Sequence, residues 1–150
     1  MNHARSRQRG AVALELALCL PVLLTVLASL LFYGRVLYSY EVVQKSAWAG
    51  ARYLSSVPAM NIKNPLLSTQ EINLATAMIR QELGTVAPDP GALIVFISCD
   101  GGPCNGLPNY LPASVTVTVM FDLQSTLHGY ADSLPSLRMR ASHTMRYVGN

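Results

Sequence analysis

Charge is scarce in this 150-residue chain: Asp, Glu, Lys and Arg together make up 13% of it, about half the roughly 25% usual in soluble domains. Apolar residues reach 51%, and that balance excludes intrinsic disorder, which needs low hydrophobicity and high net charge. No acidic residue precedes Glu15. Histidine and cysteine number three each, and tryptophan occurs once. The patterns that mark common catalytic sites are missing as well: there is no His-Glu-x-x-His, no Gly-x-Ser-x-Gly, no phosphate-cradling glycine loop and no cluster of carboxylates. Gly101-Gly102 lies between two cysteines. His128, in Leu127-His128-Gly129-Tyr130, reads as a loop histidine and His143 as a core histidine. The expectation is a protein that is not an enzyme and takes no cofactor or metal. No internal repeat or low-complexity tract is present.

What the chain does have is one long apolar run. From Ala11 to Tyr33 the only charge is Glu15. As a helix at ~1.5 Å per residue these residues extend about 35 Å, enough to span a hydrocarbon core ~30 Å thick. The formal net charge of +3 comes from what precedes the run: Arg5, Arg7 and Arg9. Without residues 1–10 the chain carries eight Lys plus Arg and eight Asp plus Glu, so its basicity is a topological signal and gives no support to nucleic-acid binding. Lys and Arg beside a membrane segment stay cytoplasmic. The sequence therefore divides into a basic cytoplasmic leader (1–10), a transmembrane helix (11–33) and an exported head (34–150).

Cys99 and Cys104 bracket a tight Gly/Pro loop, and in an oxidising compartment this pair reads as a disulfide. A zinc site needs two further ligands, for which only His128 and His143 are at hand. Cys19, inside the apolar run, reads as a small hydrophobe.

Helical periodicity continues past the membrane run. Val36, Leu37, Tyr40, Val43, Ala47, Ala51 and Leu54 recur at three- and four-residue steps, so the helix is expected to reach about residue 55, with an amphipathic extension over 34–55. Trp48 lies on it, either packed under the head or anchored at the membrane interface. Pro58 and Pro65 mark a connecting loop. Ser68-Thr69-Gln70-Glu71 has the form of a capping box, starting a short second helix that Gly84 ends. Pro88-Asp89-Pro90-Gly91 reads as a turn. Strands are expected at 92–99, at 114–121, where Val115, Val117, Val119 and Phe121 alternate with polar residues, and at 137–147. The predicted fold class is α+β, a long amino-terminal helix and a short helix against a small three-stranded antiparallel sheet.

Glu15 needs a reason, since a carboxylate at mid-bilayer costs on the order of 2.5–3.5 kcal/mol. One reading is a carboxylate that reaches the interface with no further role. Another begins at Arg9-Gly10-Ala11: a cut after Gly10 creates an α-ammonium on Ala11, one helical turn from Glu15, which can neutralise it within or between subunits. Pro21 cannot donate to the carbonyl of Ala17, which loosens the helix there, although Pro is also simply tolerated in membrane helices.

The segment Arg9-Gly10-Ala11-Val12-Ala13-Leu14-Glu15-Leu16-Ala17-Leu18, followed by Pro21-Val22-Leu23-Leu24, resembles the amino-terminal signature of TadE-like proteins, pilin-like minor components of tight-adherence (Tad/Flp) pilus systems. Ala49-Gly50-Ala51-Arg52 and the closing strand resemble the family more loosely. The resemblance implies a pilin-like fold and a structural role in pilus assembly. It implies cleavage between Gly10 and Ala11 by a dedicated prepilin peptidase, with this chain as the substrate. It implies as partners the bacterial inner membrane, the major and other minor pilins, and the inner-membrane assembly platform, with the head in the periplasm. Leu16 departs from the pattern, because related pilins usually carry Tyr or Phe after the Glu. A competing reading is an exported soluble accessory domain released by signal peptidase after Ala28, in Val26-Leu27-Ala28.

Overall fold

The computed structural model describes residues 4–84, 86, 93–104, 108–123 and 137–149. The expected Pro88–Gly91 turn and His128 lie outside them. Within the described residues the order is α1 (Ala4–Ser55), α2 (Ala59–Lys63), α3 (Pro65–Leu83), β1 (Leu93–Cys99), β2 (Gly102–Pro103), β3 (Ser114–Leu123) and β4 (Leu137–Arg146). The chain divides into two units, residues 1–38 and 39–150.

The first unit holds the inner part of α1. Every residue from Val12 to Arg35 is exposed, and the helix is long and apolar enough to cross a membrane. Leu14, Leu18, Leu23 and Leu31 are each at least 66% exposed. A helix that is apolar all round needs an apolar surrounding medium. Two of its hydroxyls are satisfied locally: Thr25 donates to the Val22 carbonyl and Ser29 to that of Thr25, both at 2.8 Å. Pro21 sits inside α1 and the helix carries on through it.

The second unit is an antiparallel sheet of order β2-β1-β3-β4. Its register aligns one apolar face. Leu93, Phe121 and Met139 form one row, Val95, Val119 and Ala141 the next, then Ile97, Val117 and His143, then Cys99, Val115 and Met145. Valines 115, 117 and 119 are buried. Ala75, Ile79 and Leu83 of α3 and Val43, Ala47, Ala51 and Leu54 of α1 complete the core. Burying each large aliphatic side chain contributes about 1.5–3 kcal/mol.

The buried stripe of α1 differs from the predicted one. Leu37 and Tyr40 are exposed, at 67% and 42%, whereas Ser39 and Ser46 are fully buried and Gly50 is buried beside them. Small residues occupy the stripe because the packing leaves no room for larger ones. A Cβ on Gly50 would stand 2.6 Å from Ile79 Cδ1 and 3.6 Å from Val117 Cγ1. The far end of α1 is held by the residues that follow β4: Val148 N donates to the Ser55 carbonyl at 2.9 Å, and Tyr147 Oη to that of Val57 at 2.7 Å.

Three further expectations need correction. The connecting loop contains α2, and α3 starts at Pro65, three residues before the expected capping box. Asn64 is the cap, its side chain accepting from Leu66 N at 3.0 Å; an Asn cap with Pro at the first helical position is the stronger start signal. Ser68 therefore lies inside α3, where its hydroxyl donates to the Cys104 carbonyl at 3.2 Å. The sheet also has a fourth strand. Cys99 pairs with Gly102 and Ser98 with Pro103 across Asp100-Gly101, both at positive φ (49° and 84°). This is a two-residue hairpin of the kind Asp-Gly favours.

Enlarging Gly50 should expose the tight α1 contact. Gly50→Val is expected to destabilise the head by about 1–3 kcal/mol through overpacking, read by urea unfolding in detergent with Trp48 fluorescence. Gly34→Ala, where a Cβ meets nothing within 4 Å, should leave the midpoint unchanged or raised.

Candidate functional site

The residues singled out for function lie on the first turns of α1. Gly10 and Ala11 are inside the helix, so the peptide bond between them is helical in the uncut chain. A protease binds an extended backbone, and cleavage here needs the first turns to unwind. Gly10 makes that easier, because Gly in a helix interior costs about 1 kcal/mol relative to Ala. Arg5, Arg7 and Arg9 belong to the same turns.

Glu15 lies four residues beyond Ala11, one turn on, or about 6 Å along the axis. It is exposed, and with Val12, Leu16 and Cys19 it lines a shallow depression of about 190 Å³ on the helix surface. Cys19 is a free, exposed thiol on the same side. A carboxylate on an otherwise uncharged, exposed apolar surface attracts a cation.

The head carries a different set of polar groups. Cys99 and Cys104 are joined by a disulfide with Cα atoms 4.8 Å apart, and among the described residues no group of His, Cys, Asp and Glu is arranged to hold a metal. His143 is half-buried and lines a second depression of about 190 Å³ with Gln44, Lys45 and Trp48. Trp48 is 43% exposed with the Arg52 guanidinium 5.2 Å from its ring centre, so it is not core packing under the sheet. Glu71 accepts from Tyr53 Oη and from Asn61 Nδ2, the latter at 2.7 Å, tying α1, α2 and α3 together. Nothing in the local sequence marks this contact, because its members are separated by whole elements.

Asp100 is a second group that sequence patterns did not single out. Its carboxylate accepts from Tyr110 Oη at 2.5 Å and from Ala113 N, Ser114 N and Ser114 Oγ at 2.8 Å each. The Tyr110 hydroxyl, followed by the Ala113 amide and the Ser114 hydroxyl, stabilises the charged form and lowers the pKa to about 2. On the outer face Arg138 holds the Asp122 carboxyl below its usual range through contacts of 2.9 and 3.2 Å.

A carboxylate whose folded pKa is depressed gives stability that is present above its unfolded value, near about 4, and is lost as pH falls through the folded one. The Ala113 and Ser114 amide shifts should therefore stay flat from neutral pH to about 4 and titrate together with a midpoint near about 2. Asp100→Asn should abolish that titration. A midpoint near about 4 in the parent chain would show that the hydrogen bonds do not hold in solution.

No curated protein and no solved structure matches the chain. Residues 10–52 match the family model described as TadE-like protein, the family that the Gly10–Glu15–Pro21 signature resembles. The matched stretch begins at Gly10, contains Glu15, Pro21 and the whole apolar run, and ends within the buried stripe of α1. The chain thus carries a TadE-like region over residues 10–52, which points to a component related to Tad pili.

Proposed function

We propose that this chain is a structural minor pilin or pseudopilin of a Tad pilus, processed by prepilin peptidase between Gly10 and Ala11. The observation that carries the reading is the placement of Glu15 on α1. It is the one charge among the residues from Ala11 to Tyr33, one turn from the bond to be cut, on an exposed helix surface. Before cleavage no side chain among the described residues pairs with it. Afterwards the Ala11 ammonium supplies a counter-charge, in the same subunit or a neighbouring one.

In this reading Arg5, Arg7 and Arg9 hold the amino terminus in the cytoplasm, residues 11–33 span the inner membrane, and the head with its Cys99–Cys104 disulfide faces the periplasm. Ala11, Ala13 and Ala17 let neighbouring helices approach closely, and pairing of Glu15 with an amine fixes their axial register. Pro21 lacks the amide that would bond to Ala17, so the helix can bend as it moves from lipid into a helix bundle. The partners are the peptidase, the major and other minor pilins and the assembly platform. Leu16 in place of an aromatic residue changes the packing surface beside Glu15 and leaves the charge pairing intact.

Release after Ala28 fits the structure less well. It would leave Leu30, Leu31 and Tyr33, each at least 64% exposed, at the new end of a water-soluble protein.

Glu15→Ala is expected to leave membrane insertion intact and to cut co-purification with the other pilus components at least about tenfold, the equivalent of losing roughly 1.4 kcal/mol. Glu15→Asp should restore part of it. Equal recovery of partners with the Ala variant would remove the register role from Glu15.

A further inference from the structure

Among the described residues β4 is the last strand of the sheet, and its outer edge has unusual chemistry. Tyr147 N donates to the Ala113 carbonyl at 3.0 Å, and the β3–β4 register continues that pairing through Val115 with Met145 and Val117 with His143. In an antiparallel ladder such pairs alternate with pairs whose backbone groups turn away. The N–H and C=O groups of residues 138, 140, 142, 144 and 146 therefore face outward from the sheet. The side chains of these residues, Arg138, Arg140, Ser142, Thr144 and Arg146, are all exposed. On the other side of the edge lies the open depression formed by Gln44, Lys45 and Trp48 of α1 with His143, next to Arg52 on the Trp48 ring.

The edge is thus flanked by cations above and below. Arg138, Arg140 and Arg146 lie along it, Lys45 lines the depression beside it and Arg52 stands over Trp48; among the described residues, Asp122, bound to Arg138, and Glu41, 3.8 Å from Lys45, answer them. A second copy pairing antiparallel about Ser142 would set Arg138 opposite Arg146, so like charges oppose self-association through β4.

We propose that the outer edge of β4, with the α1 flank beside it, receives an extended acidic segment of a partner protein as a fifth strand. Backbone groups of residues 138–146 provide the ladder, as in strand addition generally. The partner's inward-pointing residue opposite His143 enters the 190 Å³ depression, where a carboxylate meets the Lys45 ammonium and the Gln44 amide. Its outward-pointing acidic residues meet Arg140 and Arg146. The inference rests on the head alone and does not depend on processing at Gly10.

The test uses the full chain in detergent micelles and two fluorescein-labelled peptides of alternating residues, Val with Glu and Val with Lys. Fluorescence anisotropy should show the Glu peptide binding at least about tenfold more tightly than the Lys peptide at low salt. Arg140→Glu and Lys45→Glu should each weaken the Glu peptide by about tenfold. Ser142→Pro removes one outward amide at an edge position where proline is tolerated and should weaken it similarly. If that variant misfolds, as judged by Trp48 emission, the two charge variants carry the test. Equal binding of both peptides, Glu-peptide binding that survives all three substitutions, or a β4-linked dimer by sedimentation without peptide would each overturn the proposal.

Discussion

The close approach of α1 to α3 and β3 at Gly50 is the constraint on which the head depends. Ile79 and Val117 occupy the space that any side chain at that position would need. Helix α1 can lie this close only because Ser46, Ala47, Gly50 and Ala51 are small, while Val43 and Leu54 fill the ends of the same stripe. Ser46 offsets the burial of its hydroxyl by donating to the Val43 carbonyl at 2.9 Å. With α1 seated, the apolar rows of β1, β3 and β4 are covered, and the terminal bonds from Tyr147 and Val148 lock the turn after the helix. A single helix thus serves two environments. Its inner half is apolar on every side, and its outer half is apolar on one side only.

The parts of this arrangement that depend on local periodicity were legible in the sequence. The β3 alternation of Val115, Val117, Val119 and Phe121 and the β4 alternation from Met139 onward give their faces directly, and the apolar run of α1 needs nothing beyond its composition. The rest was hidden for identifiable reasons. Hydrophobicity ranked Leu37 and Tyr40 above Ser39 and Gly50 as buried residues, although close helix packing selects for size over hydrophobicity. Ser68 and Glu71 have capping-box spacing, yet both are used by long-range partners, Cys104 and Tyr53, which no local window contains. The Asp100-Gly101 turn lies between two bonded cysteines, so the loop reads as a cross-link before it reads as a hairpin, although Asp-Gly favours that turn. Asp100 likewise collects donors from residues ten to fourteen positions away.

Of the candidate site, the sequence contained the motif and its spacing, and the structure added its setting. Gly10 and Ala11 are helical, so under the proposed processing a cut between them would require the first turns to unwind, with the Gly as the weak point. Glu15 is exposed on an apolar helix surface, and among the described residues no side chain answers its charge. The polar groups of the head clip its loops and helices together.

The account stands most directly on the identity of the first residue of the mature chain. Amino-terminal peptide mass spectrometry on protein made alongside its native secretion machinery should find a start at Ala11, with the carboxylate of Glu15 one turn from the new amine. An intact start at Met1 or Asn2 would contradict the processed-pilin account and leave a permanently anchored protein in which Glu15 has no amine to meet.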